Sequence, residues 1–267
     1  MADFDTAIAL RPGPEVGVLE GVLDRDWWGG VGPHGGYLAA ILVRGLQTAA
    51  GDGGRRPRLP RSLSIHYLRP ARQGGFELRW RIERKGRSMS TVTLRIVQGG
   101  EPVAIAVGVV AAGRAGPELS QVAMPDVPPW RDVEPTSFGR VRPAFIGQME
   151  FRHCVGPPPM SAAEEAESGG WVRIPGRSLD IAAVALFMDA WWPAIWPRVS
   201  VVPRVPTIDL TLHFRGEPPA TDEPVLARFR SRLASGGFVD EDGELWSADG
   251  KLLAQSRQLA LLLAPPD

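Results

Sequence analysis

The feature that most constrains the fold of this chain is an order of predicted elements that occurs twice. Residues 37–50, YLAAILVRGLQTAA, predict an apolar helix, and alternating segments between residues 61 and 110 predict strands. After residue 143 the same order returns, with a predicted helix in 178–192 and alternating segments up to residue 263. A strand-like segment also precedes each helix. A repeated order of this length indicates an internal duplication.

The two copies also align residue by residue. His66 in SIHYLRP and His213 in TLHFRG each stand beside an aromatic residue. The segment that starts at Gly86 runs without gaps against the one that starts at Gly236, which places Gly108 opposite Gln258. One apolar helix wrapped by an antiparallel sheet, present twice, predicts an α+β double hotdog fold. An α+β sandwich with a different connection order is the alternative.

Proline marks the boundary between the two copies. The stretch 113–145 lacks a sustained apolar period, which is typical of a linker. Its prolines are Pro117, Pro125, Pro128, Pro129, Pro135 and Pro143. We therefore expect an N-terminal repeat over residues 1–115, a proline-rich linker over 116–143 and a C-terminal repeat over 144–267 that carries the catalytic residues.

Charge and cysteine content restrict the partners and the compartment. The chain has 30 basic and 30 acidic residues and so lacks the basic excess typical of proteins that bind nucleic acid or anionic membranes. Cys154 is the only cysteine, which excludes an intramolecular disulfide and fits a reducing compartment. The four histidines are scattered, so no metal site is expected. We expect a cytoplasmic protein without a membrane span, with a small, roughly neutral partner.

One acid interrupts the second apolar helix. Asp189 lies in ALFMDAWWPAIW, and its neighbours at helical spacing are apolar, so a buried carboxylate with a perturbed pKa is one interpretation. Such a group suits general base catalysis. The helix is expected to begin at Ser178 as N-cap, with Asp180 in its first turn. Alternatively, the helix ends early because Pro193 follows, and Asp189 then caps its end at the surface.

Two later segments supply polar neighbours for this acid. In TIDLTLHF, strand alternation places Thr207, Asp209, Thr211 and His213 on the face opposite Leu210 and its apolar neighbours. In the last strand, Gln258 shares a face with Ala254, Ser256 and Ala260, and we expect it to face the helix. The alternative for Gln258 is an amide that hydrogen bonds to nearby backbone.

Motifs across most of the chain resemble those of the acyl-CoA thioesterase II (TesB-like) family of double-hotdog enzymes. They are HGGYLAA, YLRP, GRSMS, MDAWWPA, PTIDLTLHFR and LLAQSRQLA. The family uses an Asp, a Thr and a Gln to hold a water against the thioester carbonyl, and these fall on Asp189, Thr207 and Gln258. The resemblance implies hydrolysis of acyl-CoA to a free acid and coenzyme A without a cofactor, in a homodimer or higher homo-oligomer.

The thioester oxygen needs hydrogen-bond donors as it gains charge, and amides at a helix start can supply them. Gly35, Gly36 and Tyr37 are the candidates, although the glycines alternatively only let the backbone turn. Direct attack by Asp189 stays open as a second mechanism. The first helix has no acid and Gly108 replaces Gln258 there, so a single site is expected.

Two other functions remain open. The chain could bind acyl-thioesters or a partner protein without hydrolysis, with Asp189 as a structural acid. A His34–Asp189 pair would instead indicate a hotdog hydratase or dehydratase, although the His-to-Gly-to-Pro spacing that such enzymes carry at the start of the helix is not seen here.

Overall fold

Antiparallel strands make up most of the computed structural model, which describes residues 3–51, 57–139 and 142–264. The first half contains strands β1 (Arg11–Pro12), β2 (Val18–Leu23), β3 (Leu59–Tyr67), β4 (Gly74–Lys85), β5 (Met89–Gln98) and β6 (Glu101–Ala111). The second half contains β7 (Glu150–Val155), β8 (Glu167–Arg173), β9 (Thr207–Phe214), β10 (Val225–Arg230), β11 (Ala234–Ser235), β12 (Phe238–Trp246) and β13 (Leu252–Leu261). The α-helices are α1 (Phe4–Ala7), α2 (Gly35–Ala50) and α3 (Ile181–Phe187).

All of these strands belong to one sheet, in the order β1-β2-β4-β5-β6-β3-β9-β13-β12-β10-β8-β7, with β11 paired to β12. This order is symmetric about the central pair, because β3, β6, β5 and β4 on one side correspond to β9, β13, β12 and β10 on the other. The halves join where β3 pairs antiparallel with β9, with Ile65 opposite Leu210. The topology confirms the predicted duplication and the double hotdog fold.

Helices α2 and α3 contact each other and lie in one apolar core with the inner face of the sheet. Helix α2 packs closely on the first half because that half has a small residue where the helix approaches. A Cβ built on Gly108 of β6 would lie 2.6 Å from Leu46 Cδ2. Gly108 therefore provides space for the helix, while the equivalent position in the second half carries Gln258.

Helix α3 differs from its prediction at both ends. Asp180, and not Ser178, is the N-cap, because its carboxylate accepts a hydrogen bond from the Ala183 amide at 2.8 Å. The helix ends at Phe187 and continues as a tight turn in which the Asp189 amide donates to the Leu186 carbonyl at 3.2 Å. Asp189 therefore lies just beyond the helix.

The gap-free alignment of the two copies is wrong by one residue in β12. Residues 98–101 connect Val97 to its partner Pro102, whereas residues 247–251 connect Trp246 to Leu252. The second hairpin is one residue longer, so the partner of Gln258 is Glu241, while the partner of Gly108 is Val92. A buried acid thus replaces a buried valine in the second half.

The proline-rich segment packs against the second half of the molecule. It forms a 3-10 turn at Trp130–Asp132, and Met124, Val127 and Trp130 contact a small apolar cluster that includes Trp171 and Trp246. Within the described ranges, no helix is both long and apolar enough to cross a membrane.

Candidate active site

Asp189 lies where the end of α3 meets the start of α2. Its Oδ2 atom accepts a hydrogen bond from the Gly36 amide at 2.8 Å, and its side chain is 13% exposed. The two glycines permit this approach. A Cβ on Gly35 would lie 2.7 Å from Asp189 Oδ2, and one on Gly36 would lie 2.5 Å from the Leu186 carbonyl oxygen. The helix does end early, but the acid is largely enclosed and does not cap a surface-exposed end.

Opposing influences act on the charge of Asp189. Burial raises the pKa of its carboxyl group, because desolvation penalises the charged form, while nearby His34 and the Gly36 amide lower it. The positive end of the α2 dipole also favours a carboxylate here. A carboxylate balanced in this way can take up and release a proton, which is what a general base does.

His34 contacts Asp189 directly. Its Nε2 atom lies 2.7 Å from the Asp189 carbonyl oxygen and 3.4 Å from Oδ2. Burial lowers the pKa of His34, which favours the neutral imidazole, and the short contact to a carbonyl places the proton on Nε2. The ring stacks on Phe145 with centroids 3.9 Å apart. Nδ1 is buried and has no hydrogen-bond partner among the described residues.

The hydroxyl groups of two nearby tyrosines hydrogen bond to different helices. The Tyr67 hydroxyl donates to the Gly35 carbonyl at 2.9 Å and so holds the first turn of α2 against β3. The Tyr37 hydroxyl instead donates to the Ala7 carbonyl at 2.8 Å, on α1. The Tyr37 side chain, which is fully buried, therefore has a structural role. The Gly36 amide is already bound to Asp189.

A β-bulge decides which way Thr207 points. Leu259 of β13 pairs with Asp209, but the next residue, Ala260, pairs with Thr207, so Ile208 is an extra residue in β9. The bulge brings Thr207 to the face of Gln258, whereas strand alternation placed it with Asp209 and was wrong. The Thr207 hydroxyl donates to Gln258 Oε1 at 3.2 Å.

Thr211 lies beyond the bulge, on the opposite face of the sheet. Its hydroxyl donates to Ser64 Oγ at 3.1 Å, across the junction of the two halves. Gln258 shares its face with Ser256 and Ala260, as predicted, and its amide binds side chains instead of backbone.

Glu241 is a site residue that the sequence analysis missed. Its Oε1 accepts from Gln258 Nε2 at 2.6 Å, and its Oε2 accepts from the Ala194 amide at 2.6 Å. The residue is 8% exposed, and burial raises its pKa to about 7, with the negative charge of Asp189 adding to the effect. Alternation in VDEDGELW places Glu241 among apolar residues and Gly243, so the pattern contained a signal for it.

The candidate site thus consists of two hydrogen-bonded groups, and the backbone between Asp189 and Ala194 connects them. One group contains Asp189, His34 and the start of α2, and the other contains Thr207, Gln258 and Glu241. Glu241 binds the amide of Ala194, five residues after Asp189, which fixes the second group to the segment that follows α3. The charge of Asp189 reaches Glu241, as the raised pKa of Glu241 reflects.

Aromatic side chains enclose the segment after Asp189. Trp191 and Trp192 are buried and pack edge to face with ring centroids 5.1 Å apart. Phe138 of the proline-rich segment packs on Trp192 at 5.9 Å. Beside Phe138 a groove of about 360 Å³ runs between the proline-rich segment and β7. Its lining is partly apolar and partly charged, with Met149, Phe151, Arg142, Arg152, Arg173 and Glu150.

Comparisons with known proteins agree with this fold. Residues 24–111 match the model of the acyl-CoA thioesterase N-terminal domain, and residues 120–262 match that of the C-terminal domain. An uncharacterised protein of Mycobacterium tuberculosis is 28% identical across 98% of both chains.

Solved structures give the same result. A hotdog protein of unknown function from Alicyclobacillus acidocaldarius superposes with a TM-score of 0.86 at 28% identity, over 98% of each chain. The acyl-CoA thioesterase II TesB2 of Mycobacterium marinum superposes with a TM-score of 0.78 at 22% identity, again over 98% of each chain. The second likeness concerns the fold alone.

Proposed function

Because the chain belongs to the acyl-CoA thioesterase family, we propose that it hydrolyses an acyl-CoA to a free carboxylic acid and coenzyme A. The observation that carries the proposal is the buried Asp189 carboxylate, held at the start of α2 by the Gly36 amide at 2.8 Å. A carboxylate whose burial raises its pKa and which a backbone amide holds in place is equipped to activate water.

In the proposed reaction, Asp189 takes a proton from a water while the water oxygen attacks the thioester carbonyl. The tetrahedral intermediate then collapses, the carbon–sulfur bond breaks, and the coenzyme A thiolate receives the proton from Asp189. Gln258 has a second amide hydrogen beyond the one given to Glu241, and this hydrogen orients the water oxygen. Thr207 fixes Gln258 by donating to its carbonyl oxygen at 3.2 Å.

The thioester oxygen also needs hydrogen-bond donors as it becomes negatively charged, and we propose that backbone amides at the start of α2 provide them. Because the Gly36 amide is bound to Asp189, the amides of Gly35 and Tyr37 are the remaining candidates from the predicted set. The role of Gly36 is then to orient the base. Direct attack of Asp189 to form an anhydride is the competing mechanism, and ¹⁸O found in Asp189 after a single turnover in ¹⁸O-water would establish it, since the water-activation route labels the product acid alone.

Thiol release from a panel of short, long and aromatic acyl-CoAs tests the proposal. Asp189→Asn should lower kcat by roughly 100-fold or more, because an amide does not take a proton from water. Asp209→Asn is the matched control, since Asp209 lies on the outer face opposite His66 and should retain wild-type rates. Equal rates for wild type and Asp189→Asn would refute the role of Asp189.

Thr207→Val and Thr211→Val form a second matched pair. Both remove one hydroxyl from β9, but only Thr207 contacts Gln258. We expect Thr207→Val to lower kcat by about tenfold through loss of water positioning, with Thr211→Val close to wild type. Comparable losses in both variants would place the effect in strand stability instead of the site.

The His34–Asp189 contact favours one second candidate function, the hydration of an enoyl-thioester. In that reaction a His and an acid together activate the water, and the 3.4 Å distance between His34 Nε2 and Asp189 Oδ2 allows it. However, the Nε2 proton is held by the Asp189 carbonyl. Turnover of a trans-2-enoyl-CoA without thiol release would favour hydration over hydrolysis.

Binding without turnover is the remaining alternative. Retention of an acyl-CoA by wild type and by Asp189→Asn without any release of thiol or hydration product would favour it. We further propose a cytoplasmic location, on the basis of the single cysteine, and a homo-oligomer, which light scattering of the purified chain tests directly.

A further inference from the structure

We infer that Glu241 is a positioning residue: it determines which end of the Gln258 carboxamide faces Thr207 and which end hydrogen bonds to the water. The inference rests on the proposed hydrolysis and adds to it a residue that the Asp, Thr and Gln assignment does not contain. It starts from two hydrogen bonds of one buried carboxylate, to Gln258 Nε2 and to the Ala194 amide, each at 2.6 Å.

A carboxamide has an acceptor end and a donor end of nearly equal size, so its orientation depends on its neighbours. Thr207 does not decide the orientation of Gln258, because a hydroxyl can either donate or accept. A carboxylate can only accept. Glu241 therefore fixes the Gln258 NH₂ group towards itself, and this leaves the Oε1 atom for the Thr207 hydroxyl at 3.2 Å.

Because Glu241 also accepts a hydrogen bond from the Ala194 amide, glutamine cannot replace it. The Ala194 amide is part of a fully buried residue and needs an acceptor, and Gln258 Nε2 needs another. A carboxylate provides one oxygen for each donor, whereas a carboxamide at position 241 has a single acceptor oxygen. In Glu241→Gln the backbone amide keeps that oxygen, and the new NH₂ group faces Gln258, which must turn over.

Both oxygens of Glu241 are engaged, so this acid is not the general base itself. The charged groups near it are Asp189, which follows α3, and Asp240 on its own strand, and both disfavour its ionised form. Burial adds to them and raises the pKa to about 7. Protonation of either oxygen replaces an acceptor by a donor, so the orientation of Gln258 should depend on pH in the neutral range.

Steady-state kinetics of Glu241→Gln tests the inference, with Glu244→Gln as the control on the opposite face of β12. We expect kcat to fall about tenfold or more in Glu241→Gln, with KM within roughly twofold of wild type. Deprotonation of Asp189 makes the rate rise with pH in both proteins, and the wild-type rate should show a second rise through about pH 7 that the variant lacks. Wild-type kcat and an unchanged pH profile in Glu241→Gln would overturn the inference.

The exchanged double variant, Glu241→Gln with Gln258→Glu, separates stability from positioning. The carboxamide at 241 then accepts from Ala194 and donates to the carboxylate at 258, which in turn accepts from Thr207. Thr207 again donates to residue 258, as in wild type, but an oxygen now faces the water where Gln258 had an N–H. We expect the Tm to recover and kcat to stay low. Recovery of both would assign Glu241 a structural role only.

A measurement without turnover separates this inference from the proposed hydrolysis. The side-chain amide of Gln258 gives an NMR signal that Gln258→Leu identifies by its disappearance. In wild type this signal should shift with pH around a midpoint near 7. If no acyl-CoA is hydrolysed, or if Glu241→Gln does not fold, this titration decides alone. A Gln258 signal that is insensitive to pH would overturn the inference.

Discussion

Glu241→Gln should change how the stability of the protein depends on pH. The folded protein raises the pKa of Glu241 from 4.5 to about 7, so between these values the folded state binds a proton that the unfolded state has released. The favourable contribution is therefore complete below about pH 4.5 and is lost as pH rises through about 7. Gln at position 241 does not titrate and lacks this loss.

The size of the effect follows from the shift. Each pKa unit corresponds to about 1.4 kcal/mol, so the rise to about 7 amounts to roughly 3 kcal/mol between pH 4.5 and pH 8. The turned-over Gln258 side chain in Glu241→Gln adds an offset of about 1 kcal/mol that does not vary with pH. The part of the difference in free energy of unfolding that varies with pH therefore reports the ionisation of Glu241 alone.

Urea unfolding of wild type and Glu241→Gln across this pH range measures the difference in free energy of unfolding. Wild type should lose stability relative to the variant as pH rises. The pKa of Asp189 is also raised, so the same comparison is repeated with Asp189→Asn introduced into both proteins. The pH-dependent difference in free energy of unfolding should then be smaller but of the same sign, because the charge of Asp189 contributes to the raised pKa of Glu241. A difference that stays constant from pH 4.5 to pH 8 would refute the buried ionisation of Glu241.

Further predictions concern Gly35, Gly108 and Asp180. Gly35→Ala should lower kcat while leaving the Tm nearly unchanged, because its Cβ would lie 2.7 Å from Asp189 Oδ2 and displace that carboxylate. An unchanged kcat would contradict this contact. Gly108→Ala should reduce the free energy of unfolding by about 1–3 kcal/mol, because its Cβ overlaps Leu46, and denaturant unfolding would contradict this if no loss were seen. Asp180→Ala should cost about 1 kcal/mol or more, because it removes the α3 N-cap and the ion pairs of Asp180 with Arg44 and Arg177, whereas Ser178→Ala, its control, should leave thermal unfolding unchanged.

Several features were predictable from the sequence because they depend on local patterns. The apolar run of α2, the alternating strands and the repeated order predicted a duplicated α+β fold. Asp189 was recognisable because a carboxylate between Met188 and three tryptophans has no polar face to occupy. Gln258 was placed on the correct face because β13 alternates without interruption from Ala254 as far as that residue.

Other features escaped prediction because irregularities in strand pairing control them. A single extra residue, Ile208, turns Thr207 to the inner face, and one extra residue in a hairpin brings Glu241 opposite Gln258. The alternation of residues along one strand does not predict a bulge, since a bulge forms only when two strands pair.

The sequence by itself determined the repeat, the strands, the helices and the presence of an acid in an apolar segment. Only the tertiary structure decided what that acid contacts, because its partner amide at Gly36 is 153 residues away. The two halves meet through β3 and β9, and this pairing sets the position of α2 against the end of α3. Such a contact depends on closure of the whole sheet, a non-local property that no short window of sequence contains.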